Sequence, residues 1–212
     1  MRVNDDLTTH RHSQGWRPWL LTLLLAAFAA PALASEPVHQ GTGPWSLTAL
    51  AGKEDDARFA DILTAQESDV GSSKIAGVVV GYRLDQDRFD LIWSNDALTW
   101  ELEGQLYRHR GAQDHWEANA ALAVHWNRFP WDATVPTTVS FGQGLSLASE
   151  RPAIEEDTRR LLHYMHAEVT VRGNNWEHLS VVARLHHRSG AFGLYGTSGG
   201  SNFITAGLRY RF

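Results

Sequence analysis

Apolar and polar residues alternate with a period of two along most of the chain, and this pattern restricts the fold more than any other feature. A period of two is typical of a β-strand, whose successive side chains point to opposite faces. In residues 204–212 the even-numbered positions are the apolar Ile204, Ala206, Leu208, Tyr210 and Phe212, and the odd-numbered positions are threonine, glycine or arginine. The same alternation recurs upstream, so we expect an all-β protein.

The N-terminal segment has the organisation of a secretory signal peptide. Arginines precede an apolar run from Trp19 to Ala30, and the run is followed by Pro31-Ala32-Leu33-Ala34. A charged region, a short apolar region and an A-x-A cleavage site in this order are typical of an export signal. We therefore expect residues 1–34 to be a cleaved signal peptide and residues 35–212 to form one domain. No apolar run in the sequence reaches the ~20 residues that a transmembrane helix needs.

Eight segments carry the alternating pattern. They lie at about 44–53, 73–84, 98–109, 114–127, 134–145, 159–172, 176–189 and 201–212. Export together with strands of this length predicts an eight-stranded antiparallel transmembrane β-barrel in the outer membrane of a Gram-negative cell. Trp116 and Trp126 share one parity, and ten residues at ~3.3 Å each, tilted by ~40°, span ~25 Å, the height of the lipid-facing band between two aromatic girdles.

The connections between the strands follow from this count. A short candidate strand, Arg88 to Trp93, is assigned to a periplasmic turn, because an even strand number keeps both termini in the periplasm. The long connections at about 54–72, 146–158 and 190–200 are then extracellular. The segment from Glu54 to Gln66 fits either a short amphipathic helix or a solvated loop.

The polar face of the strands is expected to fill a narrow lumen. An eight-stranded barrel is only wide enough for side chains, so we interpret its charged residues as a structural ion-pair network. His115 and His125 are expected on the same inner face. The charged set is Glu101, Glu103, Glu117, Glu168, Arg172, Arg184, Arg209 and Arg211.

Composition argues against several kinds of partner and cofactor. The formal net charge is −5, whereas a nucleic-acid partner would call for a basic patch. The chain has no cysteine, so we expect neither a disulfide nor a lipid-modified cysteine. It has 11 histidines, but their spacing shows no strong metal-ligand pattern; His163 and His166, for example, should point to opposite faces. The sequence therefore predicts no metal and no cofactor.

His187 and Ser189 lie at the end of the seventh predicted strand and continue the parity of its apolar face, which is Leu179, Val181, Ala183 and Leu185. Both should face outward at the extracellular rim, where an unpaired polar group costs on the order of 2–7 kcal/mol. Function is one reason to tolerate that cost. A serine nucleophile beside a histidine base can hydrolyse an ester, and the backbone N–H groups of Gly190 and Ala191 are candidate oxyanion donors.

The motif His187-Arg188-Ser189 resembles the H-x-S motif of the lipid A 3-O-deacylase family, which is also called PagL-like or acyloxyacyl hydrolase. The final strand and the segments 111–119, 127–131 and 142–150 are similar to this family and its uncharacterised relatives, so the resemblance covers roughly the whole mature chain. It implies an outer-membrane barrel that removes an ester-linked acyl chain from lipid A of lipopolysaccharide. Ser189 would be the nucleophile and His187 the general base.

The sequence departs from the family pattern at two positions. The resemblance implies an orienting glutamate about ten residues before the C-terminus, and the matching residue here is Asn202. Asn202 is the candidate orienter of His187, as asparagine is in Cys-His-Asn enzymes. Glu155 or Glu156, in an extracellular loop, is the alternative source of a carboxylate. After the serine the family usually carries an asparagine, where this chain has Gly190.

Other functions stay open at this point. The main alternative to the hydrolase is a non-catalytic small outer-membrane barrel of the structural or adhesion type, and a soluble secreted sandwich is third. The sequence also leaves open whether the acyl ester belongs to lipid A or to a phospholipid, and whether the barrel is a monomer or a homodimer.

Overall fold

A computed structural model of the chain describes residues 43–66, 68–84 and 97–212. These residues form eight strands and one short helix. The strands are β1 (Trp45–Asp55), β2 (Val70–Arg83), β3 (Leu98–Arg110), β4 (His115–Trp126), β5 (Thr137–Ala148), β6 (Leu161–Val171), β7 (Leu179–Ser189) and β8 (Gly200–Arg211). The helix, α1 (Phe59–Leu63), lies in the connection between β1 and β2. Within the described ranges, no helix has the length and apolar character that crossing a membrane requires.

Each strand pairs antiparallel with its neighbours in the chain, and β1 pairs with β8, so the sheet closes into a barrel. The closure continues past the ends of the strands, since Trp45 and Phe212 exchange backbone hydrogen bonds of 3.1 and 2.9 Å. A closed sheet has no unpaired edge, which is the condition for strands to lie in lipid. The prediction of an eight-stranded antiparallel transmembrane barrel is confirmed.

The two faces of the wall differ as the alternation predicts. In β4, Trp116 is half exposed on the outer face, whereas its neighbours His115 and Glu117 are buried in the lumen. An apolar cluster occupies part of the interior and consists of Leu50, Ile75, Val79, Tyr107, Val182 and Phe203. Apolar side chains on the outer surface include Leu47, Val78, Val80, Leu102, Leu106, Leu122, Val181, Leu208 and Tyr210.

Charged side chains form ion pairs inside the lumen. Arg184 contacts Glu103 at 2.8 Å and Glu168 at 2.7 Å. Arg209 contacts Glu168 at 2.8 Å, and Arg211 contacts Glu101 at 2.7 Å. These pairs are buried, so each charge needs its partner because removing one leaves the other uncompensated.

Two members of the expected network differ from the rest. Arg172 lies beyond the end of β6, where it donates to the carbonyl of Glu177 at 3.4 Å. Glu117 is inside the lumen, but its ion-pair partners are His109 and His186 rather than an arginine.

Every predicted strand end lies within three residues of the observed one. β5 begins at Thr137 rather than at 134, because Asp132 accepts hydrogen bonds from the amides of Phe129 and Thr137 and holds a turn before the strand. Pro136, which has no amide hydrogen, directly precedes the strand. Of the two options for residues 54–66, the helix is confined to Phe59–Leu63. The signal peptide assigned to 1–34 and the turn assigned to 88–93 lie outside the described residues.

Candidate active site

The end of β7 carries His187 and Ser189 on the outer face of the barrel. The residues on either side of His187, His186 and Arg188, are fully buried in the lumen. Because successive side chains of a strand point to opposite faces, His187 and Ser189 project away from the lumen. Both are partly exposed, and they lie next to the loop 190–199 that joins β7 to β8.

Asn202 on β8 lies directly opposite His187 on β7. Nδ1 of His187 is 2.6 Å from Oδ1 of Asn202, which is a hydrogen bond. The other end of the amide, Nδ2 of Asn202, donates to the carbonyl oxygen of Ala57 at 2.8 Å. A carbonyl oxygen can only accept, so this contact orients the amide and directs its oxygen to the histidine. In the neutral imidazole, Nδ1 then carries the hydrogen and Nε2 keeps a lone pair that can accept a proton.

The position of Ala57 is itself held by Asp55. One carboxylate oxygen of Asp55 accepts hydrogen bonds from the amides of Ala57 at 3.0 Å and Asp69 at 3.1 Å. The other oxygen accepts from the hydroxyl of Ser68. Asp55 also lies opposite Asn202 in the pairing of β1 with β8, so these residues and His187 form one row across three adjacent strands.

Helix α1 covers part of this row. The ring of Phe59 lies against the ring of His187, with centroids 5.0 Å apart and an angle of 52° between the planes. Leu185, two residues before His187 on the same outer face, is only 8% exposed, while Val181 further along that face is 45% exposed. The outer wall is therefore covered near His187 and open toward the other end of the strand.

Ser189 lies beside a glycine on one of its two neighbouring strands. Its pairing partner on β8 is Gly200, and its partner on β6 is His163. A Cβ atom added to Gly200 would come within 3.1 Å of the Cβ of Ser189 and 2.5 Å of the carbonyl oxygen of Arg188. In residues 97–212, which include both side chains, no hydrogen bond joins Ser189 to His187. The two Cα positions of an i, i+2 pair lie ~6.6 Å apart, so side-chain rotation must bring them together.

The loop after Ser189 turns tightly. The amide of Gly190 donates to the carbonyl of Gly199 at 3.0 Å, so it is already used within the loop. The amide of Ala191 is then the remaining candidate oxyanion donor. Ala191 and Phe192 have φ angles of 47° and 57°, a conformation that non-glycine residues rarely adopt. A Cβ at Gly190 would lie 1.9 Å from the carbonyl oxygen of Thr197. This close approach explains why position 190 is a glycine: the loop leaves no room for the side chain of the asparagine that the resemblance implies.

The alternative orienters are engaged elsewhere or exposed. Glu155 is buried and binds inward-facing groups: Nε of Arg188 at 3.0 Å and the hydroxyl of Ser201 at 2.7 Å. The side chain of Glu156 is exposed. The group that contacts Nδ1 of His187 is the amide of Asn202.

Sequence reasoning missed several residues around His187. Ala57 and Phe59 are brought to it by the β1–β2 connection, and Asp55 stabilises the start of that connection. The position of Asp55 could have been inferred in part, since the pairing of the first strand with the last places Asp55 beside Asn202. The contact with Phe59 had no signal in the spacing of residues, because it depends on how a loop folds over the wall.

With the fold and this geometry established, the class of protein is clear: the chain has the architecture of small eight-stranded outer-membrane barrels. Among solved structures, it is similar to that of the outer membrane enzyme PagL, with a TM-score of 0.55 and 16% sequence identity over 79% of this chain and 99% of that one. At this identity the likeness shows the fold alone.

Two further structures are similar at a lower level. Neisserial surface protein A has a TM-score of 0.47 and 12% identity, with coverage of 80% of this chain and 97% of that one. OprG from Pseudomonas aeruginosa has a TM-score of 0.41 and 11% identity, with coverage of 82% and 98%. No protein-family model matches the sequence. No curated protein matches it.

Proposed function

We propose that the protein is an outer-membrane ester hydrolase that removes an ester-linked acyl chain from lipid A in the outer leaflet. Ser189 is the nucleophile, His187 is the general base, and Asn202 orients His187. The observation that carries the proposal is the fixed amide of Asn202, which donates to Ala57 and accepts from Nδ1 of His187. This arrangement leaves Nε2 as a base on the outer wall, where acyl chains of the leaflet run.

The chemistry follows the serine-hydrolase pattern. Nε2 of His187 removes the hydroxyl proton of Ser189 while the serine oxygen attacks the ester carbonyl carbon. The carbonyl oxygen becomes an oxyanion, and the amide of Ala191 is the candidate donor to it, because the amide of Gly190 is bound to Gly199. The protonated His187 gives its proton to the departing sugar oxygen. Water then hydrolyses the acyl-serine, with His187 again as base.

Asn202 contributes orientation without a negative charge. An asparagine can hold the imidazole in the required tautomer, but it cannot stabilise the imidazolium that forms during attack as a carboxylate does. Slower turnover than that of an enzyme with a carboxylate in this position is therefore expected.

Lipid A analysis tests the proposal directly. Lipid A is extracted from cells that express the protein, the Ser189→Ala variant or the Ser198→Ala variant, and its acylation is measured by mass spectrometry. Ser198 is an exposed serine in the same loop region and serves as the matched control. The proposal expects loss of one ester-linked chain with the unmodified protein and with Ser198→Ala, and full acylation with Ser189→Ala. Full acylation in all three contradicts it.

The substrate class is tested on the folded protein in detergent. Release of free fatty acid is measured from purified lipopolysaccharide and, separately, from phospholipid vesicles. Preference for lipopolysaccharide is expected, and equal or greater release from phospholipid reassigns the substrate while leaving Ser189 as the nucleophile.

A non-catalytic adhesion barrel is the second candidate function. It is favoured by the exposed apolar side chains of Phe192 and Leu194 in the β7–β8 loop and by the absence of a hydrogen bond between Ser189 and His187 in residues 97–212. A fluorophosphonate probe distinguishes the two functions, since it labels Ser189 in a hydrolase and leaves a structural barrel unlabelled.

A further inference from the structure

A second group of titratable side chains lies inside the barrel, apart from the proposed active site. The β3–β4 hairpin brings His109 opposite His115, and Glu117 follows two residues later on the same inward face. All three are buried. One ring nitrogen of each histidine and one carboxylate oxygen of Glu117 lie within 4.8 Å of one another.

His186 approaches the same group from β7. Its Nε2 is 3.2 Å from Oε1 of Glu117, yet neither ring nitrogen of His186 makes a hydrogen bond. A nitrogen and a carboxylate oxygen that face one another in this way have the separation of two ligands on one ion. Bonds of about 2.0–2.1 Å in tetrahedral geometry place two ligands about 3.3 Å apart.

The charge of Glu117 is poorly compensated. Its carboxylate contacts Nε2 of His109 at 2.8 Å and accepts from the hydroxyl of Ser146 at 2.8 Å, and it is fully buried. Within the described ranges, its only ion-pair partners are histidines, whereas Glu101, Glu103 and Glu168 each have an arginine. Arg188 reaches Ser146 but is paired with Glu155. With neutral imidazoles, Glu117 is a buried anion without a cation.

A second observation points to a ligand at this place. Nε2 of His115 is buried and has no hydrogen-bond partner. Its ring stacks on that of His109 with centroids 4.3 Å apart and planes only 9° from parallel, so one ring has to rotate about its side-chain bonds for both to point a nitrogen at a single ion. Unpartnered buried nitrogens are rare in native proteins and call for an explanation such as an ion. Three imidazoles and one carboxylate, with no cysteine in the chain, form a nitrogen and oxygen donor set.

We propose that His109, His115, Glu117 and His186 bind a zinc ion in the lumen near the extracellular end of the barrel. Imidazole and carboxylate are zinc ligands, and four of them allow a closed structural site that ties the β3–β4 hairpin to β7. Nε2 of Gln113 lies 2.9 Å from Nδ1 of His109. With zinc on Nε2 of that ring, Nδ1 carries a hydrogen, so the Gln113 amide would turn over and orient the ring through its otherwise unpartnered Oε1 from outside the coordination shell. The linear spacing of the histidines gave no sign of this site, because the donors come from three strands.

The other buried group of this kind is a weaker candidate. Glu101, Glu103 and His125 also bring ligand atoms within 4.8 Å of one another. There, however, Glu101 is bound to Arg211 and Glu103 to Arg184, so a metal ion would have to displace two guanidinium groups. This difference supplies a matched control.

The experiment uses the tag-free barrel folded in detergent micelles, treated with a chelator and then supplied with zinc chloride. Zinc content is measured after gel filtration, and affinity is measured by competition with a chromogenic chelator. The variants are His115→Ala in the proposed site, His125→Ala in the other group and His178→Ala, whose ring binds the carbonyl of Arg211 near the end of β8. X-ray absorption at the zinc edge of the unmodified protein reports the ligands without any variant.

One zinc per chain is expected in the unmodified protein, in His125→Ala and in His178→Ala. Zinc affinity should fall at least about 10-fold in His115→Ala, since a ligand matters no less than its outer-shell partners. The absorption spectrum should show nitrogen and oxygen neighbours with imidazole scattering. The proposal is overturned if the unmodified protein retains no zinc, if His115→Ala binds zinc as tightly, or if His125→Ala is the variant that loses it. Should His115→Ala fail to fold, His109→Ala and the absorption spectrum decide in its place.

Discussion

His187 and Asn202 stand directly opposite each other on β7 and β8, and a 2.6 Å hydrogen bond joins Nδ1 of the ring to Oδ1 of the amide. Nδ1 of His187 is the donor in this bond, because Nδ2 of Asn202 donates to the carbonyl oxygen of Ala57 and leaves Oδ1 to accept from the ring. This one contact specifies the tautomer of the histidine.

Removal of the Asn202 amide should slow ester hydrolysis. In Asn202→Ala the imidazole loses the group that fixes its tautomer and orientation, and we expect a fall in kcat of about 10²-fold, within the range that general acid–base catalysis contributes. Fatty-acid release from lipopolysaccharide is the measurement. Asn174→Ala, in the β6–β7 connection at the opposite end of the barrel, is the control and should be as active as the unmodified protein. Equal activity in Asn202→Ala would show that Asn202 has no orienting role.

Asp55 should act through Asn202 rather than independently. Asp55→Ala removes the acceptor that holds the amide of Ala57, so the carbonyl of Ala57 is no longer held against Asn202. We expect a loss of activity in Asp55→Ala and little further loss when Asn202→Ala is added, because residues of one network are not additive. A double-mutant cycle in kcat measures this coupling. Additive losses would mean that the two residues act separately.

Phe59 should matter more than its helix neighbour Leu63. The ring of Phe59 lies against that of His187, whereas the side chain of Leu63 is 55% exposed. We expect Phe59→Ala to lower kcat about 10-fold, an estimate for weakened general-base positioning, while Leu63→Ala leaves it unchanged. Both variants should keep heat-modifiable migration on a gel, which reports a folded barrel.

A methyl group at Gly200 should disturb the wall beside Ser189. It would overlap the carbonyl of Arg188 and the Cβ of Ser189, and such overpacking costs about 1–3 kcal/mol. Urea unfolding in detergent and fluorophosphonate labelling of Ser189 are the two measurements, and both should be impaired. At Gly104 an added Cβ meets nothing within 4 Å, so Gly104→Ala should behave as the unmodified protein does.

Arg184 should be the most sensitive of the lumen residues. It is fully buried and pairs with both Glu103 and Glu168. Arg184→Met leaves two carboxylates short of a partner, and the free energy of unfolding should fall by about 3–5 kcal/mol. Arg151 is exposed in the β5–β6 loop, and Arg151→Met should change it by less than about 0.5 kcal/mol. Urea unfolding of the barrel in detergent compares the two.

Much of the fold could be predicted from local pattern. The alternation around Trp116 and the inward position of His115 follow from the period of two, and the structure agrees with both. The details that failed were those of the connections: the start of β5 depends on the turn that Asp132 holds, and the position of Arg172 depends on where β6 ends. Turn geometry of this kind is set by a few specific hydrogen bonds, which alternation does not reveal.

By itself, the sequence determined the number of strands, their order and the face on which His187 and Ser189 lie, because side-chain parity is a property of each strand alone. Only the tertiary structure decided which way the amide of Asn202 points, that Phe59 covers His187, and that His186 joins His109, His115 and Glu117. Those relationships depend on barrel closure and on the register between strands distant in the chain. A period of two carries no information about either.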